Sequence, residues 1–133
     1  MKAAWFIVLA ACAQAASAQN VCPRSSEIQQ AQMLGTWRVE LERPAATGTL
    51  VLEKHALYAG SLSGTMERGA EKLRVAGDVE DGEFTLEESS DGVHIAATWL
   101  GEVVEGSCGR EIRGTWSTDG EGKDARDFVL RKQ

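Results

Sequence analysis

Histidine, cysteine and clustered positive charge are scarce in this chain of 133 residues, and each shortage removes a class of function. The two histidines, His55 and His94, are far apart and fall on different predicted strands or turns, so they offer no metal-ligand spacing. No Gly-x-Ser-x-Gly elbow occurs. Ser61, Ser63 and Ser117 lie in predicted strands with no flanking His to activate them as nucleophiles. Carboxylate pairs exist at Glu87-Glu88, Glu40 and Glu42, and Asp124 and Asp127. Glu40 and Glu42, however, point away from the expected interior, whereas a glycosidase needs two acids facing each other in a cleft. The acidic, glycine-rich run 118–124 has neither the Asp spacing nor the terminal Glu of an EF-hand. The expectation is a non-enzymatic protein with no metal and no cofactor.

The charge balance excludes a second class. The formal net charge is −6. Residues 1–18 carry one basic and no acidic side chain, so without them thirteen basic groups face twenty acidic ones, a net −7. No Lys/Arg cluster offsets that excess, and nucleic acid and anionic membrane surfaces would repel it.

The one long apolar run, Ala3 to Ala13, is too short to span a bilayer comfortably. Lys2 precedes it and Ala16-Ser17-Ala18 follows it, which is the layout of a cleaved secretory signal peptide at residues 1–18. The expected compartment is secreted or periplasmic. Leu9-Ala10-Ala11-Cys12 also resembles the lipobox of bacterial lipoproteins, which would place a lipid anchor at Cys12 without changing the fold. Removing the signal leaves Cys22 and Cys108, an even count that predicts a disulfide in an exported protein. Closing a loop of this length stabilises by an amount on the order of 4 kcal/mol in the chain-entropy account.

What is abundant is glycine and short alternation. Four Gly-Thr-apolar tripeptides recur, at Gly35-Thr36-Trp37, Gly48-Thr49-Leu50, Gly64-Thr65-Met66 and Gly114-Thr115-Trp116. Ser25 to Leu34 reads as a short helix with a Ser26–Gln29 capping box, ended by Gly35. Beyond it the period is two: Trp37, Val39 and Leu41 share a face, as do Leu62, Gly64 and Met66, or Phe84 and Leu86. Val93 to Val104 reads as one long strand with Val93, Ile95, Ala97 and Trp99 on one side. Turns such as Glu80-Asp81-Gly82 and Ser90-Asp91-Gly92 are short, so neighbours in sequence become neighbours in space. The expected fold is all-β: an eight-stranded antiparallel up-and-down barrel (35–133) preceded by an N-terminal segment and short helix (19–34).

This pattern resembles the calycins, the superfamily of lipocalins, fatty-acid-binding proteins and avidins. Gly35-Thr36-Trp37 opens the first strand after a short helix, as the Gly-x-Trp motif does there. The resemblance implies a latch in which Arg131 of the last strand covers Trp37. Within the superfamily the avidin branch is the nearest look-alike, through Thr98-Trp99, Trp116 and Asp127-Phe128. The polar biotin ligands of that branch are missing: Val39, Arg43 and Met66 stand where it has Asn, Ser and Tyr. Biotin binding is therefore not expected.

Trp37, Trp99, Trp116, Phe84 and Phe128 all fall on the expected inner face. They either fill a core or wall a pocket, and inner Gly64, Gly77 and Gly114 either leave space or ease strand curvature. The first functional expectation is a binding protein for a small apolar or aromatic ligand held by Trp37, Trp99, Trp116, Met66 and Phe84. The second is a protein-binding module, such as an inhibitor of a secreted or periplasmic hydrolase, that uses the segment Gln19 to Ser26. A packed interior is the mark of the second.

Overall fold

The alternation that starts at Gly35 becomes eight strands: β1 (Gly35–Leu41), β2 (Ala46–Lys54), β3 (Leu62–Arg68), β4 (Glu71–Glu80), β5 (Glu83–Ser89), β6 (Ala97–Val103), β7 (Glu111–Ser117) and β8 (Arg126–Lys132). The computed structural model describes residues 21–118 and 124–133. The expected signal peptide and the lipid-anchor cysteine, Cys12, lie outside the described residues, as do residues 119–123 of the last hairpin loop. Each strand pairs antiparallel with the next, and β8 returns to β1 through pairs such as Trp37 with Lys132 and Leu41 with Phe128, closing the barrel. Closure leaves no free sheet edge. The up-and-down order is compatible with a calycin-like fold. No helix among the described residues is long and apolar enough to cross a membrane.

Parity sorts the side chains as the period predicts. Trp37, Val39 and Leu41 are buried on β1, Leu50 and Leu52 on β2, Leu62 and Met66 on β3, and Phe84 and Leu86 on β5. The inner glycines mark curvature and hold no free space. A Cβ on Gly64, Gly77 or Gly114 would lie 1.8, 1.9 or 2.0 Å from the carbonyl oxygen of Val51, Thr85 or Leu100. The neighbouring backbone crosses so closely that only glycine lets these strands coil. Inner Gly101 leaves room that the Phe128 ring and Ile112 occupy, with Phe128 Cζ 2.8 Å from where a Cβ would stand.

Two expected elements are corrected. The helix over Ser25 to Leu34 is instead a 3₁₀ turn at Ser25–Glu27 and a single α-helical turn, α1 (Gln30–Met33). Between them Ile28 is extended, at φ −70 and ψ 129, which sends its side chain into the core. In place of the expected Ser26–Gln29 box, Gln29 N–H donates to Gln32 Oε1 at 3.0 Å and Gln32 N–H donates to the Gln29 carbonyl at 3.1 Å. Burial of Ile28 and Met33 outweighs helix continuity, since a helix this short has little stability of its own.

The long strand over Val93 to Val104 is the other correction. β6 begins only at Ala97, and Val93 and Ile95 are 79% and 59% exposed in the loop before it. Asp91 organises that loop: its carboxylate accepts the Val93 and His94 N–H groups, each at 2.8 Å, and meets His94 Nδ1 at 2.7 Å. Local side-chain-to-backbone bonds of this kind replace ladder bonds.

The disulfide joins Cys22 to Cys108 in the loop between β6 and β7. It fastens the N-terminal segment across the barrel end formed by the β2–β3, β4–β5 and β6–β7 loops. Ser25 N–H donates to Glu105 Oε2 at 2.8 Å, Gln30 Nε2 to Ser61 O at 2.7 Å, and Ile28 packs beside Gly109. The opposite end, called the mouth below, is formed by the remaining hairpin loops.

Candidate binding surfaces at the two ends of the barrel

All five expected ligand-lining residues lie inside the barrel. Trp37, Met66 and Trp99 have no exposed surface, Phe84 is 1% exposed and Trp116 8% exposed. They do not form one chamber. Along β8, Trp37 pairs with Lys132 and Trp116 pairs with Arg126, positions six residues and about 20 Å apart on a strand. Trp37 belongs to the fastened end, where its indole Nε1 donates to Met33 O at 2.9 Å. Trp99 and Trp116 pair with each other across β6 and β7 near the mouth. Between the two levels the Trp99 and Phe128 rings meet edge to face with centroids 4.9 Å apart. The surface depressions lie on the outside; the one of about 490 Å³ runs over Thr85, Leu100, Glu102 and Arg113.

The expected latch is also corrected. Lys132, not Arg131, lies over Trp37, with Nζ 5.9 Å from the ring centroid and donating to Gln32 O at 2.6 Å. Parity explains the change: Lys132 pairs with inward Trp37, whereas Arg131 pairs with outward Arg38. Burial lowers the Lys132 pKa, helped by the nearby positive charge of Arg110. Arg131 instead bridges strands on the outer surface, reaching Glu40 at 2.6 Å and Glu111 at 3.1 Å. That contact holds the Glu40 carboxyl below its ordinary range.

The mouth contains a charged pair that the sequence reading did not single out. Glu88 follows Phe84 and Leu86 onto the inner face and is only 2% exposed. Arg68, next after Met66 on the inner face of β3, donates to both carboxylate oxygens, at 3.1 and 3.2 Å. Trp99 Nε1 donates to the same carboxylate at 3.0 Å. Burial works against the charge on Arg68, but Glu88 and Glu71 outweigh it and raise its pKa. Parity was the available signal: Glu87 and Glu88 cannot act as a pair, because adjacent strand residues face opposite sides.

Above this pair sits Trp116. The Arg68 guanidinium lies 5.5 Å from its ring centroid and the Arg126 guanidinium 5.4 Å. Among the described residues Arg126 donates only to backbone carbonyls, those of Glu42 and Pro44. The Trp116 indole N–H is buried with no hydrogen-bond partner. Among the described residues no group of three or more His, Cys, Asp or Glu could hold a metal. No protein-family model, no curated protein and no solved structure matches this chain.

Proposed function

We propose that this is an exported, non-enzymatic binding protein that recognises a protein partner with its outer surface, in the manner of an inhibitor of a secreted or periplasmic hydrolase. The observation that carries this reading is the filled interior. Trp37, Met66, Phe84 and Trp99 belong to one buried cluster and expose at most 1% of their surface, and Phe128 takes up the room beside Gly101. A small apolar ligand inside the barrel would have to displace those side chains, each worth roughly 1.5–3 kcal/mol of burial.

The N-terminal segment supports the same reading. Of the candidate contact stretch Gln19 to Ser26, the part from Cys22 onward is fastened to the barrel by the disulfide and by the Ser25–Glu105 bond. Val21, just ahead of the staple, is 87% exposed. Leu57 and Tyr58 in the loop between β2 and β3, at the same end, are 82% and 65% exposed. A short exposed strand of chain held at a rigid, partly apolar end loses little freedom on docking.

The test is inhibition of a panel of secreted proteases and cell-wall hydrolases by the oxidised chain, compared with a form beginning at Cys22 that keeps the disulfide. Inhibition of at least one enzyme that weakens about tenfold or more on trimming would support the proposal. An inert protein across the panel, or one equally potent when trimmed, would count against it.

A further inference from the structure

We infer that the mouth of the barrel is a carboxylate-binding site, built from the Trp116 indole N–H and the Arg126 guanidinium, with Arg68 supporting from beneath. The inference stands apart from the proposal above, because it concerns the opposite end of the barrel and needs no hydrolase.

The orphaned indole is the first observation. Trp116 is 8% exposed, and its Nε1 has no hydrogen-bond partner, whereas the other two core indoles donate to Met33 O and to Glu88. Buried donors in native proteins are nearly always satisfied, so a buried N–H without an acceptor calls for an explanation. Among the three core tryptophans, Trp116 is also the one with any exposed surface.

The second observation is the charge around it. Two guanidiniums lie within 5.5 Å of the Trp116 ring centroid. Arg68 is already matched by Glu88 and Glu71. Arg126 is held only by the carbonyls of Glu42 and Pro44 among the described residues, neutral acceptors that orient the guanidinium without cancelling its charge. The guanidinium over the ring face places positive potential beside an indole N–H that has no acceptor. A carboxylate meets both, because its two oxygens accept hydrogen bonds and its charge complements arginine's planar fork. A neutral carbonyl would answer the indole alone. The same carboxylate chemistry could come from a small organic acid or from the free C-terminus of a peptide.

The experiment is a titration followed by the indole N–H resonances of the oxidised chain, with the Trp116 signal assigned by its loss in Trp116→Phe. The probes are benzoate, its neutral isostere benzamide, and a short acetylated peptide with either a free or an amidated C-terminus. The expected result is a saturable downfield shift of the Trp116 resonance with benzoate or with the free-acid peptide, while Trp37 and Trp99 stay put. Which of the two acids binds more tightly identifies the source of the carboxylate. The neutral counterparts should bind about tenfold more weakly or not at all, and Arg126→Gln should weaken the acid by a similar factor. A Trp116 resonance unmoved by millimolar acid would overturn the inference. So would equal responses to acid and amide, or an Arg126→Gln protein that binds the acid as well as the parent does.

Discussion

Replacing Arg68 by Met should unfold this barrel more readily than any surface substitution, because it strands a buried charge. Glu88 has 2% of its surface exposed and three donors on its carboxylate: two from Arg68, at 3.1 and 3.2 Å, and one from Trp99 Nε1 at 3.0 Å. Removing the guanidinium leaves the carboxylate with a single neutral donor inside the mouth. Breaking a buried pair from one side costs about 3–5 kcal/mol. That is a large share of the roughly 5–15 kcal/mol a domain of this kind possesses. Glu88→Leu alone leaves Arg68 a route to Glu71 at 3.3 Å and to solvent, but orphans the Trp99 N–H, at about 1–3 kcal/mol. The double variant removes both charges and keeps only the orphaned indole. It should therefore be more stable than Arg68→Met alone, with a coupling of at least about 2 kcal/mol in the cycle. Urea denaturation of the oxidised proteins reads this directly. With a slope of about 2 kcal/mol per molar, the Arg68→Met midpoint should fall by about 2 M. A single-variant loss below about 1 kcal/mol, or costs that simply add in the double, would refute the claim that this pair is a buried, mutually dependent unit.

Three further outcomes follow from the geometry. Gly77→Ala should lose several kcal/mol or fail to fold, since its Cβ would sit 1.9 Å from Thr85 O, whereas Gly106→Ala, in open space at φ +82, should cost only about 1 kcal/mol; thermal melts of the two variants decide. Lys132→Ala should destabilise more than Arg131→Ala, because it removes a charged hydrogen bond and a cation–π contact worth together about 2 kcal/mol, while Arg131 makes exposed ion pairs worth about 0–1 kcal/mol; equal melting temperatures would contradict the corrected latch. Asp91, held far below its usual value first by the His94 side chain and then by backbone N–H groups, and Glu40 and Glu105, held down first by hydrogen bonds from Arg131 and Ser25, all have folded pKa values below their unfolded ones. Their stabilisation is complete above the ordinary carboxylate value of 4.5 and fades as pH falls through the folded values, so urea midpoints should be flat above that pH and drop below it; in His94→Ala the Asp91 carboxyl, followed by NMR, should rise toward 3.8.

The barrel was legible in the sequence because its cause is local and periodic. One face of each strand meets the core, so Trp37, Val39 and Leu41, or Phe84 and Leu86, announce both strand and side. The readings that failed are those where a tertiary contact overrules a local pattern. Ile28 interrupts the N-terminal helix because the core accepts its side chain, and Asp91 claims the backbone donors that a longer β6 would have used. The latch was displaced by one residue because the resemblance pointed to a basic residue in the last strand, while parity decides which of Arg131 and Lys132 turns inward. Glu88 was readable in principle, as the third inward position after Phe84 and Leu86. A carboxylate reads as solvent-facing until its partners are known, and although Trp99 comes from the neighbouring strand β6, Arg68 reaches it from β3, which is not adjacent to β5. The inner glycines were ambiguous for a similar reason: the same residue permits a cavity or a close crossing, and only the position of the facing carbonyl distinguishes them.

The proposed recognition by the outer surface rests on a filled interior, and a titration with the neutral apolar fluorophore aminoanthracene tests that most directly, with energy transfer from the core tryptophans as the signal. A barrel packed by Trp37, Met66, Phe84, Trp99 and Phe128 should show no saturable binding up to the solubility of the dye. Stoichiometric, saturable uptake that quenches those indoles would mean the interior opens to ligands, and the account would fail.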